Sequence, residues 1–194
     1  MLHNQVFKAR HTFAREIFYD NLFGRWTDAQ LRTPVHPSGN SLIWIIWHIA
    51  RVEDSGVSRF VLGEEQLLHT GNWNAKLGLE SERFGFGDST DEMLMISQHV
   101  DIPALRDYWA AVIERTWHTV DTVTEVRLAE VLSEAEVRQV VIDEGVAPPN
   151  VQVEVIPIYT GWTRLEALYH FSMTHYYWHG GEVRTIEGVL RHGG

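Results

Sequence analysis

Apolar residues recur at three- and four-residue spacing in four long segments of the chain, and this spacing predicts four long helices. Asn40 or Ser41 is suited to cap the second helix, Asp101 the third, and Thr160 or Thr163 the fourth. Glycines stand where the first two helices are expected to end. The predicted bounds are His3–Phe23, Ser41 to about Leu62, Asp101 to about Val123, and Leu165–Leu190.

The segments between these helices are predicted to hold short helices and one hairpin. Asp91–His99 and Glu134–Ile142 each have the pattern of a short helix. Residues 151–155 read Val-Gln-Val-Glu-Val, an alternation that is typical of a β-strand, and residues 126–130 offer a partner strand. We therefore expect a small β-hairpin before the last helix.

The connection Glu64–Thr90 is long, rich in glycine, and carries Trp73. Loops of this length inside a compact domain often form lids or pocket walls. Trp73 therefore either lines the mouth of a pocket or anchors the loop to the core.

Four long helices with short insertions predict an all-α four-helix bundle. No fixed-period repeat, low-complexity tract or linker divides the chain, so we expect one domain over residues 1–194. Bundles of this kind build metal sites from side chains on facing helices.

Composition narrows the classes of function. The formal net charge of -10 argues against nucleic acid and against an anionic membrane as partners, because both need a basic surface. The apolar run Leu42–Ala50 is too short to span a bilayer, and the charged N-terminal segment is unlike a signal peptide. The chain has no cysteine, which fits a cytoplasmic protein and leaves His, Asp and Glu as the available metal ligands.

The predicted fourth helix carries the strongest candidate site. His175, His179 and Glu182 are spaced to lie on one helix face, in the middle of its apolar stripe. A polar group on such a stripe is costly to desolvate unless it finds a partner. Two histidines four residues apart are well placed to bind a divalent metal, although hydrogen-bonded core histidines would show the same spacing.

The predicted second helix contributes one further candidate. His48 is the only ionisable residue in Leu42–Ala50, and a lone histidine on an apolar helix is more often a hydrogen-bonded core residue than a ligand. Such an apolar helix should be buried nearly all round. Glu53 is suited to accept a hydrogen bond from a ligand, whereas Asp54 is expected at the solvated end of the helix.

Two sequence motifs together resemble the DinB-like superfamily. They are SLIWIIWHIA at residues 41–50 and HYYWHGGE at residues 175–182. The resemblance implies an up-down-down-up bundle in which His48, His175 and His179 bind one divalent metal, which is nickel, zinc, iron or manganese in members of the family. Glu182 stands where the family most often has Gln, which leaves open an extra ligand or a hydrogen-bond acceptor.

The resemblance also implies candidate activities. Characterised relatives transfer low-molecular-weight thiols to small electrophiles, so a metal-dependent S-transferase is the first hypothesis. A metal-dependent hydrolase is the second, and a homodimeric binding or stress-response protein stabilised by its metal is the third. The candidate catalytic residues are Glu182 and Glu53, and the candidate pocket residues are Trp44, Trp73 and Trp178.

Overall fold

The computed structural model describes residues 2–192, and these residues form an all-α structure. The helices, in chain order, are α1 (Leu2–Phe18), α2 (Leu22–Arg25), α3 (Asp28–Arg32), α4 (Leu42–Ser55), α5 (Leu67–Thr70), α6 (Trp73–Leu77), α7 (Thr90–His99), α8 (Ile102–Thr122), α9 (Glu125–Ala129), α10 (Glu134–Arg138), α11 (Pro149–Tyr159), α12 (Arg164–Tyr169) and α13 (His175–His192). Segments of π-helix continue α4, α10 and α12 at Gly56–Leu62, Gln139–Asp143 and His170–Thr174.

The helix ends follow the capping residues that the sequence predicts. The side chain of Ser41 accepts a hydrogen bond from the Trp44 amide at the start of α4. Asp101 caps α8 in the same way, and Thr163, rather than Thr160, caps α12 as part of a capping box. Gly63, with a φ of 75°, ends the helical segment that begins with α4. The predicted first helix is shorter than expected, because α1 ends at Phe18 and α2 follows separately.

The four long helices form the predicted up-down-down-up bundle, in which the helix formed by α12, the π segment and α13 is the fourth. Contacts near both ends of each pair give the directions. Helix α1 runs parallel to the fourth helix and antiparallel to α8, and α4 runs parallel to α8 and antiparallel to the fourth helix. Phe7–Tyr169 and Ile17–Arg184 join α1 to the fourth helix, and Lys8–Asp121 and Tyr19–Trp109 join α1 to α8. Arg51–Tyr108 and Glu64–Arg115 join α4 to α8, and Asn40–Glu182 and Phe60–Phe171 join α4 to the fourth helix.

Helix α4 is the centre of the bundle, as its uncharged run Leu42–Ala50 predicts. Every residue of α4 is buried. Its apolar side chains, together with those of α8 and α13, make up most of one hydrophobic cluster. A second cluster joins the π segment Gly56–Leu62 to the insertion that carries α10 and α11. The insertion therefore packs against the bundle at the end away from Ser41.

The predicted β-hairpin is wrong. Residues 149–159 form α11 and residues 125–129 form α9, and within residues 2–192 the only β contact is a bridge between Val131 and Thr163. Pro149 in the first turn presets a helical φ, and Val155, Ile156 and Tyr159 pack into the second cluster at helical spacing. Val153 is 82% exposed, so the alternation of valines does not follow burial.

Across residues 2–192, no helix combines the length and the apolar character that crossing a bilayer requires.

Candidate metal centre

Three histidines from two antiparallel helices meet inside the bundle. His48 comes from α4, and His175 and His179 lie one turn apart on the facing side of α13. One ring nitrogen from each lies within 4.8 Å of the corresponding atoms of the other two. The ring centroids of His48 are 5.3 Å and 4.8 Å from those of His175 and His179, respectively. The structure therefore brings together the three residues that the motifs single out.

His48 is held in one orientation by a hydrogen bond and by a stacked ring. Its Nδ1 donates a hydrogen bond to the carbonyl of Phe84, and its ring stacks on Trp44 at a centroid distance of 4.8 Å and an interplanar angle of 8°. A proton on Nδ1 leaves Nε2 with its lone pair, which is the form that binds a metal. Trp44, a predicted pocket residue, thus contacts the site directly.

Glu182 lies behind His179, at hydrogen-bond distance. Its Oε2 is 2.8 Å from His179 Nδ1, and its Oε1 accepts a hydrogen bond of 2.8 Å from the Asn40 amide. Although burial raises the pKa of Glu182, the hydrogen bonds from His179 and Asn40 outweigh it and hold the pKa below its ordinary value. A carboxylate that accepts from Nδ1 fixes the ring orientation of His179 and leaves Nε2 for a metal.

His175 supports the presence of a ligand in another way. Its Nδ1 is buried and has no hydrogen-bond partner among the described residues. Burial and the neighbouring His48 and His179 hold its pKa well below the ordinary value. Burial, with a smaller contribution from His179, lowers the pKa of His48 to about 3. Buried imidazoles that stay neutral can act as ligands, so this set fits a divalent metal of intermediate softness.

The long connection after α4 forms the wall behind His48. Gly85 follows Phe84 with a φ of 96°, and a Cβ there would lie 2.8 Å from His48 Nδ1. Buried Arg51 ties the same segment to α4 through the carbonyls of Glu82 and Arg83, at 2.8 and 3.2 Å. The loop is therefore a fixed wall, and its backbone provides a partner for His48 that residue patterns could not reveal.

Asp54 and Trp73 also anchor this loop. Asp54 accepts hydrogen bonds from the amides of Leu67 and Leu68, both at 2.9 Å, and is buried, so its expected place at a solvated helix end is wrong. Trp73 packs against Tyr108 with ring centroids 5.5 Å apart. This packing supports the interpretation that Trp73 anchors the loop to the core rather than lining the mouth of a pocket.

The remaining predicted residues lie on different sides of the three histidines. Trp178 is 62% exposed, and its ring lies 5.5 Å from that of His175 at the outer edge of the site. Glu53 is buried, but its oxygens face Tyr176 and His11. The structure therefore joins Trp178 to the site and places Glu53 in a separate cluster.

His170, which is not among the predicted site residues, also lies next to the three histidines. Its ring centroid lies 5.3 Å from that of His175 and 5.3 Å from that of Trp178. It begins the π segment that immediately precedes His175, and π-helical turns often occur at functional sites. Residue spacing does not indicate His170, because a five-residue spacing between histidines does not match a regular helix face.

The fold and the site define a class: a helical-bundle protein whose three core histidines could hold one metal ion. The sequence profile of the DinB superfamily matches residues 19–183. This match covers most of the chain, and the chain therefore belongs to the DinB superfamily.

A solved structure shows the same fold. A conserved protein from Enterococcus faecalis, known from its crystal structure, is 20% identical over 94% of this chain and 95% of its own, with a TM-score of 0.64. None of the curated proteins matches the chain.

Proposed function

We propose that the protein binds one divalent transition metal through His48, His175 and His179 and uses it to transfer a low-molecular-weight thiol to a small electrophile. The observation that carries the proposal is the set of three converging imidazoles. Two of them, His48 and His179, have Nδ1 matched to oxygen atoms of Phe84 and Glu182, which leaves Nε2 free.

The donor set suits an open catalytic site. Three protein ligands leave room for a further ligand, as in catalytic zinc sites. A metal of the nickel, zinc, iron or manganese type, when bound, lowers the pKa of a thiol or water that it coordinates. Because the chain has no cysteine, the sulfur nucleophile must come from a cosubstrate.

The residues around the site divide into an inner and an outer part. Phe84, Gly85 and Trp44 close the inner side against His48, where they exclude solvent and fix the ring. On the outer side His179 is partly exposed, and Trp178 offers an exposed aromatic surface next to His175. Substrates would approach from this outer side. Glu182 would keep His179 oriented as they bind.

The first experiment is elemental analysis of the purified protein, of His175→Ala and of His170→Ala. His170 is a matched control, because it lies on the same helix beside His175 but outside the three-histidine set. We expect about one metal per chain in the wild type and in His170→Ala, and none in His175→Ala. Stoichiometric metal in His175→Ala would refute the proposed ligands.

The second experiment tests the reaction. The protein, loaded in turn with nickel, zinc, iron and manganese, is assayed for conjugation of mycothiol, bacillithiol and glutathione to a small electrophile, and for ester hydrolysis without thiol. Conjugation above the uncatalysed rate supports the transferase. Hydrolysis alone would replace it with the hydrolase, and metal binding with neither activity would replace both with a structural metal.

Assembly as a homodimer, a cytoplasmic location and a single domain over residues 1–194 stay predictions.

A further inference from the structure

A buried polar cluster lies beside the metal centre, around Tyr176. The Tyr176 hydroxyl donates a hydrogen bond of 2.5 Å to Glu53 Oε2 and accepts one of 2.7 Å from Trp109 Nε1. Tyr176 and Glu53 are both completely buried. Polar groups in such a place are costly unless they are hydrogen-bonded, so their pairing is strongly favoured once the helices pack.

His11 lies beside the Glu53 carboxylate. Trp117 Nε1 donates a hydrogen bond of 3.0 Å to His11 Nδ1. Since an indole nitrogen can only donate, Nδ1 must be the acceptor and the ring proton must be on Nε2. That atom lies 3.3 Å from Glu53 Oε1, but the two do not form a hydrogen bond. Glu53 therefore accepts a hydrogen bond from Tyr176 of α13 at Oε2, whereas His11 of α1 lies beside Oε1 without forming one.

The backbone of α13 is held at the same level. The Tyr19 hydroxyl donates a hydrogen bond of 2.6 Å to the Tyr176 carbonyl. One turn later, Gly180 presses against Phe18 so closely that a Cβ would lie 2.6 Å from its ring. Tyr176 and Gly180 lie about 100° around the helix from His175 and His179. This face therefore fixes the rotation and height of the turn that carries the two histidines.

We infer that Glu53 and Tyr176 are a positioning pair, whose hydrogen bond holds α13 where His175 and His179 meet His48. Glu53 is on the same helix as His48, five residues later, or about 7.5 Å along the axis. Helices α4 and α13 are thus tied together next to the metal centre by the protein alone. The inference rests on the proposed metal binding and assigns Glu53 a role away from the reacting atoms.

The test compares two tyrosine-to-phenylalanine substitutions. Tyr176→Phe removes the hydroxyl that joins α13 to Glu53 of α4. Tyr108→Phe is the matched control, because the Tyr108 hydroxyl is also fully buried and donates to a carboxylate of α4, Asp54 Oδ2, at 2.7 Å. Both variants leave a buried carboxylate short of one donor, but only the first loosens α13.

Two readouts separate positioning from general stability. The dissociation constant for Zn²⁺ is measured by competition with a chromophoric chelator, and the ligand geometry is read from the visible spectrum of bound Co²⁺. We expect Tyr176→Phe to bind Zn²⁺ about tenfold more weakly, the lower end of the effect of supporting residues at metal sites, and to shift the Co²⁺ bands. Tyr108→Phe should stay within about twofold of the wild type, with an unchanged spectrum.

The outcomes distinguish this inference from the proposed function. If the wild type binds no metal, the proposed function fails. If the wild type binds metal and Tyr176→Phe matches it in affinity and spectrum, or if Tyr108→Phe changes both equally, the positioning role is refuted. If Tyr176→Phe does not fold, Glu53→Met replaces it, since it removes the carboxylate that accepts the Tyr176 hydroxyl while the hydroxyl keeps its bond from Trp109. That variant must then weaken Zn²⁺ binding more than Tyr108→Phe does, or the inference fails.

Discussion

Gly85→Ala is the sharpest test of the wall behind His48. Gly85 has a φ of 96°, where a Cβ costs about 1–2 kcal/mol. The new Cβ would also lie 2.8 Å from His48 Nδ1 and 2.9 Å from the Trp47 ring. Both side chains are buried and cannot give way easily, so overpacking adds about 1–3 kcal/mol. We expect a total loss of about 2–5 kcal/mol in the free energy of unfolding.

Gly161→Ala is the control, because it shares the backbone strain without the crowding. Its φ is 87°, and a Cβ there would have nothing within 4 Å. It should lose only the conformational part, about 1–2 kcal/mol. Both free energies are measured by urea denaturation of the metal-free proteins.

The same substitution should weaken metal binding. Moving Gly85 displaces the adjacent Phe84 carbonyl, which orients His48. Loss of such a partner typically weakens metal binding 10- to 100-fold, and we expect an effect of this order in a Zn²⁺ competition titration. If Gly85→Ala loses no more stability than Gly161→Ala and keeps the wild-type affinity, the loop is not a rigid support for the ligand.

Two further predictions concern the other ligand supports and pH. Glu182→Ala should weaken Zn²⁺ binding about 10- to 100-fold, and Asn40→Ala should weaken it less, since only Glu182 contacts His179. Equal affinities of the two variants for Zn²⁺ in a chelator competition would contradict this. The pKa of His48 is about 3 in the folded protein and near 6.5 in the unfolded chain. Between these two pH values the unfolded state binds one more proton than the folded state. His48 therefore makes the free energy of unfolding of the metal-free protein fall as the pH drops below 6.5. The decline to pH 4.5 should be steeper than in His48→Gln by up to about 1.4 kcal/mol per pH unit, and parallel curves would refute it.

The helices and the histidines were predictable because local rules decide them. An uncharged segment such as Leu42–Ala50 must be buried wherever it packs, and α4 is. Ser41 and Asp101 cap helices through atoms only three residues away. His175 and His179 share a face through spacing alone. The motif at residues 41–50 then indicated His48 as a ligand, which periodicity alone could not distinguish from an ordinary core histidine.

The remaining features depend on contacts that periodicity does not encode. Glu53 lies about 140° around α4 from His48, so its neighbours depend on where α1 and α13 pack. The alternating valines at 151–155 favoured a strand, but tertiary packing and Pro149 outweighed that preference. The partner of His48 is a backbone carbonyl, and any residue at position 84 would carry one.

The π segment at His170–Thr174 has a consequence for how the site could be gained or lost in evolution. A π turn holds one residue more than an α turn, so it turns everything after it by about 100° relative to a regular helix. Deleting one codon there would restore a regular helix and direct His175 and His179 away from His48 without changing any ligand. Homologous chains that retain all three histidines but lack this extra residue would therefore carry the motif without the site.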